Sequence, residues 1–444
     1  MSASVTVVQL GEAVKPTRPR VKPTDYPELP FIGMEHIEAH SMKLLGTVSA
    51  RTMKSAAVHF KPGDVLYGRL RPYLNKVYRP SFEGLCSAEF IVLPENDRID
   101  GAYLQYFLNS GAFVRYATHL NAGDRPRVDF DQLAAYKIPL PGMDDQRRVV
   151  AEIEKQFSRL DEAVRGLERV DASLIRYKTA VLTAALQGRL VPTEAELALR
   201  EGRSYETGAH FLERILKAHR SIWKGKGKYR EPAQTDASKL QQLPQGWVWT
   251  SVDCVGDVLL GRQRAPQYLT GKYYRPYLRV ANVKDDRLEF SDVEEMDFEE
   301  EHFQRYRLQP SDILVSEGQS PELLGQSAIF KGFSHPICFQ KTLHRFRPIP
   351  DSVSSEFAQI VFRSHTRSGI FRKLGSITTN IAHLTLEKFK AAPFPLPPLA
   401  EQHRIVAEVE RVLSVGEKIE TQILANLARA ESVRRAVLRK AFSV

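Results

Sequence analysis

Cysteine is scarce in this chain of 444 residues: Cys86, Cys254 and Cys338 lie more than eighty residues apart, in no CxxC or CxH spacing. That excludes a disulfide framework and a cysteine-built zinc site. Long apolar runs are also missing. No segment approaches the about 18 residues a membrane helix needs, and Met1-Ser-Ala-Ser-Val lacks the basic start and apolar stretch of a signal peptide, so a cytoplasmic protein is expected. No GxxxxGK[ST] phosphate loop, GxGxxG turn or HExxH helix occurs. The Pro397-Pro398 pair is followed by Leu399, not by the aromatic residue of an adenine-methyltransferase strand end. Carboxylates near lysine, as in Glu387-Lys-Phe-Lys390, imitate a nuclease centre but match an ordinary solvated helix face.

What the chain has is a statement made twice. Residues 138–155 align without a gap on residues 394–411, with nine of eighteen positions identical, among them Pro139/Pro395, Gln146/Gln402, Arg148/Arg404 and Glu152/Glu408. Upstream, Phe60-Lys-Pro-Gly-Asp-Val-Leu66 resembles Leu308-Gln-Pro-Ser-Asp-Ile-Leu314, and residues 30–37 resemble 276–283. A repeat of this length means two copies of one unit, a variable globular domain followed by a long helix.

The expected fold class is α+β: two globular α+β domains in internal repeat, separated by two long antiparallel coiled-coil helices. The expected boundaries are a first domain over 1–138, a helical spacer over 139–187, a linker with a short helix over 188–242, a second domain over 243–393 and a second spacer over 394–444. Short β-like runs such as Val5–Leu10 and Glu89–Leu93 alternate with the helix-like stretches 103–115 and 355–363. The proline stretches Pro139–Pro141 and Pro393–Pro398 read as breaks that end each domain just ahead of a helix, since proline does not continue a strand ladder.

From Asp145 to Gln187 there is no proline, and Ile153, Leu160, Leu167, Leu174 and Val181 recur every seven residues, interrupted by Asp171 and Lys178. The second helix has a looser seam that includes Gly416 and Glu420. These are coiled-coil patterns. Each stripe either covers the other or packs on its own domain or on a separate protein. Within 188–242, Phe211 to Trp223 form an amphipathic pattern ahead of the basic run Lys224–Arg230, which reads as a solvated loop.

Together, residues 395–406 (Pro-Leu-Pro-Pro-Leu-Ala-Glu-Gln-His-Arg-Ile-Val), their copy at 139–150, Gln187-Gly-Arg-Leu-Val-Pro192 and Leu243-Pro-Gln-Gly-Trp247 resemble the DNA-specificity subunit of Type I restriction-modification systems. The segments Gly68–Val77 and Glu317–Glu322 also look like that family. The resemblance implies two target-recognition domains that read a bipartite, asymmetric site on double-stranded DNA. It implies two methyltransferase subunits using S-adenosylmethionine and restriction subunits using ATP and Mg, with no cofactor, metal or catalysis in this chain. The first domain departs from the pattern, having Lys15–Lys22 where a Leu-Pro-x-Gly-Trp opening is expected.

A formal charge of +10 suits a polyanionic partner but is common among soluble proteins. Arginine, lysine, glutamine and asparagine in turn-rich segments are the candidates for phosphate and base contact. In the first domain these are Arg69, Arg71, Tyr73, Asn75, Lys76, Arg125 and Arg127; the plain alternative is a buried tyrosine and surface ion pairs. In the second they are Gln319, Ser320, Gln326, Asn380 and His383, against a loop that only satisfies its own backbone. Gln146, Arg148, Gln402 and Arg404, at the repeated helix starts, are the expected methyltransferase contacts. Two other readings compete: a tether whose domains bind protein, and an enzyme acting alone.

Overall fold

The computed structural model describes residues 6–17, 20–121, 125–222, 229–378 and 381–443. Among them no helix is long and apolar enough to cross a membrane. The chain forms two compact units, one of residues 1–170 with 421–444 and one of residues 171–420. The expected boundaries are corrected at the helices, which are not bodies of their own. The first long helix, Met143–Leu186, and the second, Leu399–Ala441, each give one part to each unit.

In the first unit, strand Thr6–Gln9 pairs antiparallel with Lys137–Leu140. A five-stranded sheet follows, ordered Arg20–Val21, Ala57–Phe60, Gly84–Ser87, Pro30–Ile32, Val48–Ser49, in which Phe31 runs parallel to Leu85. A three-stranded sheet places Val65–Gly68 between Val77–Tyr78 and Phe90–Leu93. The helix-like stretch 103–115 is two helices, Gly101–Leu108 and Gly111–His119, because Ser110 caps the second through the Phe113 amide. Their apolar faces join Tyr67, Leu93 and Leu133 in the core.

The second unit repeats these devices. Val248–Ser251 pairs antiparallel with Pro393–Leu396, and Tyr277 runs parallel to Cys338. Its four-stranded sheet is ordered Gly256–Leu260, Leu343–Pro348, Ile313–Ser316, Ser327–Ile329, with helix Ser355–Arg367 on the core side. The turn Lys61-Pro-Gly-Asp64 closes on its own aspartate, Lys61 N to Asp64 Oδ2 at 2.8 Å, and Gln309-Pro-Ser-Asp312 does the same at 2.7 Å. Both need a left-handed third residue, Gly63 at φ 93° and Ser311 at φ 75°. The Gly33 amide donates to His36 Nδ1 and the Arg279 amide to Asn282 Oδ1, each at 2.9 Å.

The proline stretches are strands, not breaks. Each sheet there has two strands, so every strand is an edge, and prolines spaced two apart all present their missing N–H to the unpaired side. Residues 188–242 are likewise more than a linker. Helices Glu194–Glu201 and Gly208–Ile222 lie in the second unit, with Phe211 and Ile215 in its core. Trp223 and residues 224–228 of the basic run lie outside the described residues.

The long helices run antiparallel within each unit. In the first, Ile153 and Phe157 pack on Leu438, and Arg434 stacks 4.5 Å from the Phe157 ring centre while pairing with Asp161. In the second, Lys178 lies 2.7 Å from Glu420, and both Lys178 and Leu174 pack against Gly416. The polar interruptions of the two seams therefore answer each other. Of the sevenfold positions, Ile153, Leu174 and Val181 are buried, whereas Leu160 and Leu167 are half-exposed because a two-helix seam covers each stripe from one side only.

Candidate nucleic-acid interface

In the first unit, strand Val65–Gly68 ends in a loop stitched to residues 125–128. Val128 N donates to Arg69 O at 3.0 Å, Arg71 N donates to Pro126 O at 2.8 Å, and Leu70 bridges Arg127. Arg71 sits at φ 52°, and a 3-10 turn over Pro72–Leu74 follows. This brings Arg71, Tyr73, Arg125 and Arg127 out to solvent on one pair of neighbouring loops. Arg127 is held by Glu89 at 2.9 Å.

Asn75 turns inward, and its assignment as a DNA contact is corrected; Arg69 and Lys76 are half-buried and engaged within the fold. Asn75 is 2% exposed and donates to Asn109 Oδ1 at 2.7 Å. Lys76 Nζ donates to the Met34 carbonyl at 2.6 Å. Arg69 is tied to Asp129 and the Val128 carbonyl. Burial first, then the neighbouring cations Arg127 and Arg20, push the Arg69 guanidinium below its ordinary pKa. Arg20, exposed beside this cluster, was missed; its signal was the basic opening Lys15–Lys22.

In the second unit, Gly318–Gln319 pairs with Ile381–His383, Gly318 opposite His383 and Gln319 opposite Ala382. Two loops more than sixty residues apart in sequence thus become neighbours. His383 Nδ1 lies 3.3 Å from a Glu317 carboxylate oxygen. The Gln319 side-chain carbonyl accepts from Ser320 N at 3.1 Å, and Gln326 holds the same loop through its own carbonyl and Ser316 N at 2.9 Å. Asn380 lies outside the described residues. Glu317 was missed, though a carboxylate accepts from the exocyclic amine of cytosine. The run Lys272-Tyr273-Tyr274-Arg275, exposed throughout, was missed as well.

At the helix starts, Gln146 and Gln402 are fully buried, so their assignment as partner contacts is corrected. Gln146 Nε2 donates to Pro141 O and Arg98 O, both at 2.8 Å, and its Oε1 accepts from Asp100 N at 2.9 Å. Gln402 Nε2 donates to Pro397 O at 3.1 Å. The repeated glutamine is an internal clamp that fixes the strand on the helix. Arg404 pairs with Glu194 at 2.7 Å, and Arg203 holds the same carboxylate at 2.6 Å. Burial raises the Glu194 pKa, but those two arginines more than offset it and leave the carboxyl below its ordinary value. Arg148 faces solvent beside Asp145. Among the described residues no group of three or more His, Cys, Asp or Glu side chains is placed to hold a metal ion.

Residues 249–429 match the family described as the Type I restriction modification DNA specificity domain. The EcoDI specificity subunit of Escherichia coli is 28% identical over 214 residues, 47% of this chain and 47% of that one. The chain thus spans about half the length of that relative. The Escherichia coli EcoAI specificity subunit is 22% identical over 428 residues, 83% of this chain and 70% of that one. In fold, the chain is similar to one in a solved structure concerned with complex assembly and conformational transition of the type I R-M system. The TM-score is 0.67 at 21% identity, over 98% of this chain and 97% of that one. With the shared helix-start and strand motifs in place, residues 249–429 match a DNA-specificity domain, and the chain is similar to the specificity subunits of Type I restriction enzymes.

Proposed function

We infer that each unit of this chain reads one half of a bipartite, non-palindromic site on double-stranded DNA. The chain directs adenine methylation and restriction by partner subunits to that site. The observation that carries this reading is a repeated frame with unlike loops. The same turns and paired strands recur in both units, yet one presents the exposed Arg71, Tyr73, Arg125 and Arg127 and the other the half-buried Gln319, Ser320, His383 and Glu317. Unlike readers imply unlike half-sites, whereas a symmetric dimer implies a palindrome.

The arginines of the first unit are suited to phosphates and to guanine edges, and the amide, hydroxyl and carboxylate of the second to adenine and cytosine edges. The two long helices act as a spacer that fixes the gap between half-sites. The chain performs no chemistry and holds no cofactor. S-adenosylmethionine serves two methyltransferase subunits, and ATP and Mg serve the restriction subunits, all in the cytoplasm. Arg148 remains the partner contact among the four helix-start residues, because it is exposed and its one ion-pair partner, Asp145, lies in its own helical turn.

The test is to express the chain with its neighbouring methyltransferase in an unmethylated host and map N6-methyladenine by single-molecule sequencing. One bipartite motif with a fixed gap is expected. No new methylation, in cells where the complex assembles, would sink the reading.

A further inference from the structure

The first unit contains a cleft of about 640 Å³ lined by none of the DNA candidates. Its floor is apolar, formed by Phe107, Tyr136, Phe442 and Ala436, with Phe442 set edge-on against Phe107 at 5.5 Å between ring centres. Its rim carries four exposed cations, Arg115, Lys137, Arg435 and Arg439. No carboxylate is among the residues that line it. Among the described residues, Arg435 has a single acidic neighbour, Glu431 at 3.9 Å, and Arg115 and Arg439 have none within ion-pair distance.

Four like charges around one opening repel each other in the free chain, and an anionic occupant relieves that repulsion. Three of the four are arginines, whose planar fork matches a carboxylate with two parallel hydrogen bonds. The aromatic floor needs an occupant with an apolar part as well as negative charge. A duplex backbone is a convex row of phosphates without apolar groups and does not enter such a recess. A short acidic segment with one large apolar side chain meets both demands, the side chain on the floor and the carboxylates on the rim.

We propose that this cleft is a docking site for an acidic segment of a protein partner, anchored by an apolar side chain. The proposal rests on the chain working with protein subunits, as inferred above, and does not depend on which DNA sequence it reads. The site is distinct from the helix-start residues Arg148 and Arg404.

The test uses the full chain and a fluorescein-labelled peptide, Glu-Glu-Leu-Phe-Glu-Glu, followed by anisotropy. A twin with lysine in place of each glutamate and a labelled duplex oligonucleotide run in parallel. The acidic peptide is expected to bind and the lysine twin not to. The double variant R115E/R439E, which inverts the rim, and Ala112→Trp, which fills the cleft and keeps its charge, should each weaken the peptide at least about tenfold. Both are expected to keep the wild-type unfolding midpoint and duplex affinity. No peptide binding by the wild-type chain, or equal binding by both variants, overturns the proposal. So does loss of duplex affinity in both variants, which would make the cleft part of the DNA path. Peptide binding by a chain that directs no methylation would instead leave the cleft standing and remove the specificity reading.

Discussion

Trp247 Nε1 donates a hydrogen bond to Glu401 Oε1 at 2.9 Å, joining two sequence motifs that lie 154 residues apart. The second carboxylate oxygen of Glu401 accepts from the Glu194 amide at 2.8 Å. One buried side chain therefore locks the opening strand of the second unit and helix Glu194–Glu201 onto the start of the second long helix. Burial raises the Glu401 pKa, which these donors oppose. Its share of stability is thus fullest at low pH and falls as pH rises through the raised folded value. Trp247→Phe, which leaves the buried oxygen without its donor, should cost about 1–3 kcal/mol in urea unfolding of the chain. An unchanged midpoint would remove the lock from the account.

The Lys178–Glu420 pair should behave as a specificity device more than a source of stability. Lys178 is 9% exposed and Glu420 40%. Glu420→Ala, which strands a nearly buried ammonium, should destabilise by about 1–2 kcal/mol, whereas Lys178→Leu with Glu420→Leu should recover most or all of it. A double-mutant cycle reads both outcomes directly.

Ser311 adopts a left-handed backbone that its counterpart in the first unit fills with Gly63. Ser311→Gly should therefore stabilise the chain by about 0.5–1 kcal/mol, the left-handed penalty less the entropy glycine loses. Thermal unfolding would show it as a raised midpoint, and a lowered one would refute it.

His344 and His365 are buried and donate from Nε2 to the Leu384 and Pro393 carbonyls, at 2.7 and 2.6 Å. Burial lowers both pKa values from 6.5 to about 4. The unfolded chain takes up these protons below pH 6.5 while the folded chain does not. Stability should accordingly fall between pH 6.5 and 4, by about 1.4 kcal/mol per pH unit for each histidine. The variant H344Q/H365Q should flatten that slope, and the same slope in the variant would count against these two groups.

Within the proposed interface, Arg71→Ala should weaken duplex binding of all sequences alike and lower the salt slope by about one. Gln319→Ala should relax one position of the proposed second half-site, a loss of about 1–3 kcal/mol of discrimination. Asn75→Ala should instead lower the unfolding midpoint, since its amide is spent on Asn109. Competition anisotropy over a salt series, beside urea unfolding, separates the three.

Local rules made much of this legible. The turn at Lys61–Asp64 and its copy at Gln309–Asp312 close on themselves within four residues, so the sequence similarity of the two carries the shape with it. The heptads likewise repeat over distances a helix spans alone. The glutamines misled for a related reason. Identity of Gln146 and Gln402 reads as a shared outer contact, but a buried amide that clamps the backbone at the preceding proline tolerates substitution just as poorly.

The amino-acid order by itself determined the repeat, the long helices and the family resemblance, because each rests on short-range geometry or on residue identity. Tertiary structure alone decided which polar side chains face outward. Asn75 meets Asn109, Lys76 meets the Met34 carbonyl and Gly318–Gln319 meets Ile381–His383 only after distant segments pack. Whether a polar group reads a ligand or satisfies the interior depends on those long-range partners, since a buried donor must be paired and an exposed one need not be.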